Sequence, residues 1–403
     1  MRRFIIWTVL AVIFGCNKEM EPITPTSPVN QLPPTVVSKN YLLPSYDLQK
    51  SDVHLDIMEL RKNKTGVNSG WNILPVAFLD VNGDGNDDIF YVPSYGSTNT
   101  TDGQLFLYKN GDYVLDNSYF TTVPSLVLAR KVIVGDFNND KIPDMFIAAT
   151  GDDNPPFAGE FCVLLISNTN KKYDLVKFVD KIGFYHGACS GDIDKDGDLD
   201  IFVLGKTNSY FLINDGRGNF TYSTNQFDLD SLIEQYTCEL VDIDKDGFLD
   251  LVVGGHEFMS GNTTRVYWGN SLLKYTTSNM SNIPTIPTWG TIVDIDFFDL
   301  DNDGNNEMVV TRTGGTVNNF TNFYSGWYIQ ILKNSSRTLS DVTSNFISDY
   351  TYTPKTTNNQ EWIPWMRFED YDKNGKVDFF STRCTPAPFV RWELRDGKLV
   401  RIN

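Results

Sequence analysis

Histidine is scarce in this 403-residue chain, with three copies, and cysteine nearly so, with five. No Cys/His spacing suits a zinc site. No nucleophile motif, no pair of carboxylates at a recognisable glycosidase spacing and no catalytic-metal cluster is present, so the sequence marks no enzyme class. Positive charge is also in short supply. Lys and Arg total 34 against 51 Asp and Glu, a formal net charge of −17. Without a basic stripe, nucleic acid is excluded as a partner. The apolar run near the start, in MRRFIIWTVLAVIFGC, is about eleven residues, too short to span a bilayer.

What is abundant is aspartate in short clusters. DIDKDGDLD (Asp192, Asp194, Asp196, Asp200) and DIDKDGFLD (Asp242, Asp244, Asp246, Asp250) place oxygen side chains at positions 1, 3, 5 and 9. The pattern recurs at Asp80, Asn82, Asp84 and Asp88; at Asp136, Asn138, Asp140 and Asp144; at Asp299, Asp301, Asp303 and Glu307; and at Asp370, Asp372, Asn374 and Asp378. Glycine at position 6 permits the sharp turn that gathers these groups. Lys141 stands there in the second copy and must take the turn without that freedom. Two carboxylates about 4 Å apart repel by roughly 4 kcal/mol at an effective dielectric of 20. A bare cluster should therefore splay or take up protons. A hard divalent cation reverses the sign, and Ca²⁺ accepts six to eight oxygens in irregular geometry. A solvated acidic turn explains one copy but not six. The proposed ligands include 21 carboxylates, so six Ca²⁺ would add 12 positive charges and leave about −5.

Position 9 leads each time into a short β-branched and aromatic run, such as DIFVLG or DLVVGG. These read as strands, unlike the helix that follows an EF-hand loop. First positions fall at 80, 136, 192, 242, 299 and 370, and intervals of 50 to 71 residues signal a repeat architecture. Each unit reads as four strands with the acidic loop between the first two. The expected fold is all-β: a β-propeller of six blades, a seventh not excluded.

With DxDxDGxxD joining strands one and two of a four-stranded unit, the chain resembles the FG-GAP/VCBS repeat family. These calcium-loop propellers include the integrin α-subunit head. The resemblance covers residues 71–403 and implies structural Ca²⁺, up to six ions, and adhesion or ligand binding. The start reads as a signal peptide over 1–15. Its IFGC end resembles a lipobox, which would make Cys16 the lipidated residue. NKEME resembles the export tag of Bacteroidota surface lipoproteins, and PITPTSPVNQLPP reads as a stiff tether within 16–38. Residues 39–70 would pack on the propeller. The expected location is the outer membrane, surface-exposed, with membrane contact only through the anchor. Cys162, Cys189, Cys238 and Cys384 read as buried free thiols, with disulfides open in such a compartment.

Since all acidic loops join strands one and two, they share one face. The longer connections fall on the other, where binding tends to reside. Residues just before strand one ring the channel mouth there: Trp71, Arg130, Tyr185 with His186, Tyr236, Trp289 and Trp362. Residues just after strand two form a second ring that includes Lys206, His256, Arg312 and Arg383. Aromatic faces and planar donors suit sugar rings and anions; packing between blades is the competing role. The leading reading is a binding protein for a glycan or protein. The rivals are a polysaccharide lyase or hydrolase using Arg130, Tyr185, His186 and His256, and a structural subunit of a surface complex.

Overall fold

The computed structural model describes Leu60, 63–65, 75–93, 99–206, 208–228, 235–257, 262–314, 325–347, 362–363, 365–369, 374–381 and 390–402. All belong to the unit 35–403, the other unit being 1–34. Cys16, Trp71, Asp370, Asp372, Arg383 and Cys384 lie outside the described residues.

Six four-stranded antiparallel sheets follow one another along the chain. Blade one is Val76–Leu79, Asp88–Tyr91, Gln104–Lys109 and Asp112–Leu115. Blade two is Ala129–Gly135, Asp144–Ala149, Glu160–Ser167 and Tyr173–Gly183. Blade three is Tyr185–Gly191, Asp200–Gly205, Tyr210–Asn214 and Phe220–Ser223. Blade four is Gln235–Val241, Asp250–Gly255, Arg265–Tyr267 and Met280–Asn282. Blade five is Thr291–Phe298, Glu307–Gly314, Ser325–Ser335 and Thr338–Asp341. Blade six is Met366–Glu369, Asp378–Ser381, Arg391–Arg395 and Lys398–Ile402. The fold is a six-bladed propeller, as the repeat count predicts.

The second strands are buried along their length. That is why they read as continuous apolar runs rather than as alternating ones. Apolar side chains gather between neighbouring blades. Leu105, Val132 and Leu165 join blades one and two; Phe146, Tyr185 and Leu212 join two and three. Cys189, Phe211 and Val253 join three and four; Val252, Ile295 and Leu332 join four and five. Between five and six, Trp327 meets Trp392 edge-on at 5.7 Å. The ring closes where Trp365 packs on the blade-one cluster and Arg367 lies 4.4 Å over the Phe78 ring. Cys162, Cys189 and Cys238 are buried and free.

Each blade needs its neighbours, because its own sheet cannot cover both of its faces. Leu60, from the segment before the ring, packs on blade one, and Lys64 pairs with Asp112 at 2.5 Å.

Candidate functional site

The acidic loops join strands one and two in every blade. Position 6 has positive φ throughout, and Lys141 adopts it at 69°. Position 4 is left-handed too, at Gly83, Asn139, Lys195, Lys245 and Asn302. The sequence reading did not single out position 4, although three glycine or asparagine residues there are a usable signal, since both types tolerate that region. Some of these tip side chains reach the next blade. Asn139 donates to Asp198 at 2.7 Å, and Lys195 lies 3.9 Å over the Phe248 ring.

Positions 1 and 9 do different work. Asp242 accepts the N–H groups of Asp246 and Gly247 at 3.1 and 2.8 Å, closing the loop on itself. Asp250 opens the second strand, fully buried, and accepts from Ile243 at 2.8 Å and from Gly269 at 2.7 Å. Asp88, Asp144 and Asp200 make the same two bonds, to the loop's position 2 and to the end of the third strand. In blades one to four the position-9 carboxylate is thus a bracket between loop and sheet. Burial pushes Asp88, Asp144 and Asp250 up to about 7 and Asp200 up to about 6, although the backbone donors pull the other way. A cation beside them would favour the charged form.

Do the loops fit a divalent cation? In blade three Asp192, Asp194 and Asp200 each offer an oxygen within 4.8 Å of the others. One oxygen of Asp192 and one of Asp194 are buried without a hydrogen-bond partner. Burial, then the Asp196 charge, raises the Asp194 pKa. Unpartnered buried carboxylate oxygens facing one point are what a calcium ion would satisfy. Blade four gathers Asp242, Asp244 and Asp246, but Arg337 from the blade-five hairpin reaches Asp244 at 2.6 Å and Asp246 at 2.9 Å. In blade six Arg391 holds Asp378 at 2.9 Å, and Asn374 donates to Glu393 at 2.6 Å.

At the opposite ends of the first strands lies an open cleft. Its rim has a common origin. The first strands of blades two to five each carry a register shift near the start, leaving one residue unpaired: Arg130, His186, Tyr236 and Val293. All four line the cleft. A bulge turns a side chain out of the strand's alternation, so four equivalent irregularities aim four side chains at the axis. Trp362 and Trp365 complete the wall, and Lys131 lies deeper.

The cations are already paired. Arg130 meets Asp153 at 2.6 Å and Thr150 at 3.2 Å. Lys131 meets Glu239 at 3.6 Å across the channel, both buried. His186 contacts Tyr236 edge-on at 4.2 Å, and Tyr236 hydrogen-bonds His256 Nδ1 at 3.0 Å. Burial, then the Arg130 charge, pushes the His186 pKa well down, so it stays a neutral acceptor or donor.

The remaining expected ligand residues are placed elsewhere. Tyr185 is buried between blades two and three, against Tyr210 at 5.4 Å, because the bulge at His186 flips it inward. Trp289 is buried against Tyr328; the blade-five bulge at Val293 takes the rim position instead. Lys206 lies over the Phe157 ring at 4.5 Å, beside the rim. Arg312 is fully buried, its guanidinium held by Glu257 at 2.6 Å. Its side chain has no exposed surface.

Residues 80–147, 192–253 and 242–310 match the FG-GAP-like repeat family. Each match begins at the first aspartate of a loop and ends within the second strand of the next blade. No curated protein matches the chain. Similar solved structures include an Agrocybe aegerita lectin described for recognition of non-reducing terminal N-acetylglucosamine. It is 15% identical, with a TM-score of 0.44, over 77% of this chain and 78% of that one. The Dos1 propeller is 9% identical, with a TM-score of 0.43, over 79% and 68%. The Photorhabdus luminescens Tc holotoxin pore is 12% identical, with a TM-score of 0.36, over 82% of this chain and 14% of that one. At these values they say nothing of a ligand.

Proposed function

We propose that this six-bladed propeller with FG-GAP-like repeats is a binding module whose mouth cleft takes a neutral glycan. The observation that carries the reading is the set of bulges that turn Arg130, His186 and Tyr236 into one cleft beside Trp362 and Trp365. Indole and phenol faces suit the apolar face of a sugar ring, and the imidazole and guanidinium supply donors for hydroxyls. Because Arg130 and Lys131 already face Asp153 and Glu239, the cleft carries little unspent positive charge. That favours hydroxyl groups over a uronate carboxylate.

A glycan array on the purified chain, followed by calorimetry on the best hit, tests this. Trp365→Ala should weaken binding about tenfold, the loss of roughly 1.4 kcal/mol of stacking and burial. The exposed control Leu272→Ala should not. Binding to no sugar at all would remove the glycan reading and leave a protein partner as the ligand.

In the same reading the acidic loops whose carboxylates no side-chain cation claims are calcium-stabilised corners, and Cys16 carries a lipid that holds the ring at a bacterial surface. Unpartnered oxygens on Asp192 and Asp194 support the first point; the leader and the residues before Cys16 support the second. Membrane fractionation checks the anchor. A Cys16→Ala chain should leave the membrane fraction, and an unchanged distribution would count against lipidation.

A further inference from the structure

The six loops share one motif, yet blade five departs from the rest in two linked ways. Its position 9 is a glutamate, Glu307, where the other five copies have aspartate. Its third strand carries Lys333 one residue beyond the Met308–Leu332 pair, level with Glu307. The Lys333 ammonium lies 2.7 Å from Asp301, 2.7 Å from Asp303 and 3.2 Å from Glu307. These are motif positions 3, 5 and 9. Position 1 is closed as elsewhere, with Asp299 accepting from Asp303 and Gly304.

The register shows what changed. In blades one to four, one position-9 oxygen takes the loop N–H and the other a third-strand backbone N–H, from Tyr108, Ser167, Asn214 or Gly269. In blade five Glu307 keeps the loop bond, to Leu300 at 2.9 Å, while its other oxygen turns to Lys333. The longer side chain reaches an ammonium that the shorter one would miss. An ammonium brings one positive charge and three donors, one for each of three carboxylates. It meets the same repulsion that a divalent ion would meet, from inside the chain and with no metal. Partial burial works against its charge, but the surrounding Asp301, Asp303 and Glu307 carboxylates outweigh it and raise the Lys333 pKa.

We propose that Lys333 is a built-in counter-ion that occupies the cation position of the blade-five loop, so that this loop takes no Ca²⁺ while Lys333 is present. The inference rests on the calcium reading of the loops but can fail separately from it. Removing the ammonium should open a divalent-cation site made of Asp299, Asp301, Asp303 and Glu307. Arg337 differs in kind: it comes from the next blade and bridges the outer oxygens of Asp244 and Asp246.

The experiment counts Ca²⁺ on the full chain by equilibrium dialysis and atomic emission, with circular dichroism as the check on folding. Lys333→Met should bind one more equivalent than the parent, and an unchanged count would overturn the proposal. If that variant does not fold, Asp301→Asn on the parent background decides. It should leave the count unchanged, and loss of one equivalent would overturn the proposal. Asp194→Asn in blade three is the separate arm: it should lower the count by one. Should it leave the count alone, the calcium reading of blade three fails, while the Lys333 inference is still judged by the difference between Lys333→Met and the parent.

Discussion

Replacing Arg312 by methionine should destabilise the propeller by about 3–5 kcal/mol, the cost of breaking a buried ion pair from one side. The side chain is fully buried, and Glu257 is nearly so at 3% exposure. Every N–H of the guanidinium is used. Nε donates to Gln330 at 2.8 Å. One terminal nitrogen donates to Glu257 at 2.6 Å and to the Trp289 carbonyl at 3.1 Å; the other donates to Glu257 at 3.3 Å and to the Pro284 carbonyl at 3.2 Å. Arg312 thus ties the second strand of blade five to the exit of blade four and to the connection between the two blades. Methionine fills much of the space but leaves a buried carboxylate and two carbonyls without these donors. Chemical denaturation measures the loss. Adding Glu257→Met should recover much of it, since no uncompensated charge then remains. A loss below about 1 kcal/mol in the single variant would mean that water reaches Glu257 and the pair is not a bracket.

Arg312 also shows where sequence reasoning stops. The repeat places Arg130 and Arg312 on one face of the ring, and both read as cations for a ligand. What separates them is a partner. Asp153, half exposed, leaves Arg130 at the cleft; Glu257, distant in sequence, seals Arg312 inside. No local pattern carries that information. The loops were legible because nine residues contain the whole device, and the blades because each loop sits at the same place in a four-strand unit. The position-9 aspartate was legible as a conserved-spacing oxygen within this chain, but not as an acceptor for the third strand, whose register is a tertiary fact. The rim was half legible. Arg130, His186 and Tyr236 were found by counting back from the loops. In blade three the count could not choose between Tyr185 and His186, and in blade five it chose Trp289 over Val293. A bulge is defined by pairing with the partner strand, so a single strand's sequence does not display it. Lys333 was missed for the same reason: its partners are in the loop, one strand away in space.

The position-9 brackets lead to the second large effect. Asp144→Ala should cost about 3–5 kcal/mol, because two buried backbone N–H donors lose their acceptor, at roughly 1–3 kcal/mol each. Phe137 donates to it at 2.8 Å and Ser167 at 2.7 Å, and the side chain is fully buried. Asparagine should do nearly as badly. Its shape fits, but its amide turns an N–H₂ group towards one of the two backbone N–H groups, so a donor faces a donor whichever way it is flipped. Asp140→Ala in the same loop removes an exposed carboxylate and should cost under about 1 kcal/mol. Running all three in EDTA separates the bracket from any contribution of bound calcium. If the Asp144 variants lose their effect when calcium is withdrawn, the carboxylate acts through the ion. If the loss persists, as the two short backbone bonds require, the residue that the motif presents as a metal ligand holds loop to sheet without one, and blades one to four each have a corner that is built before any cation arrives.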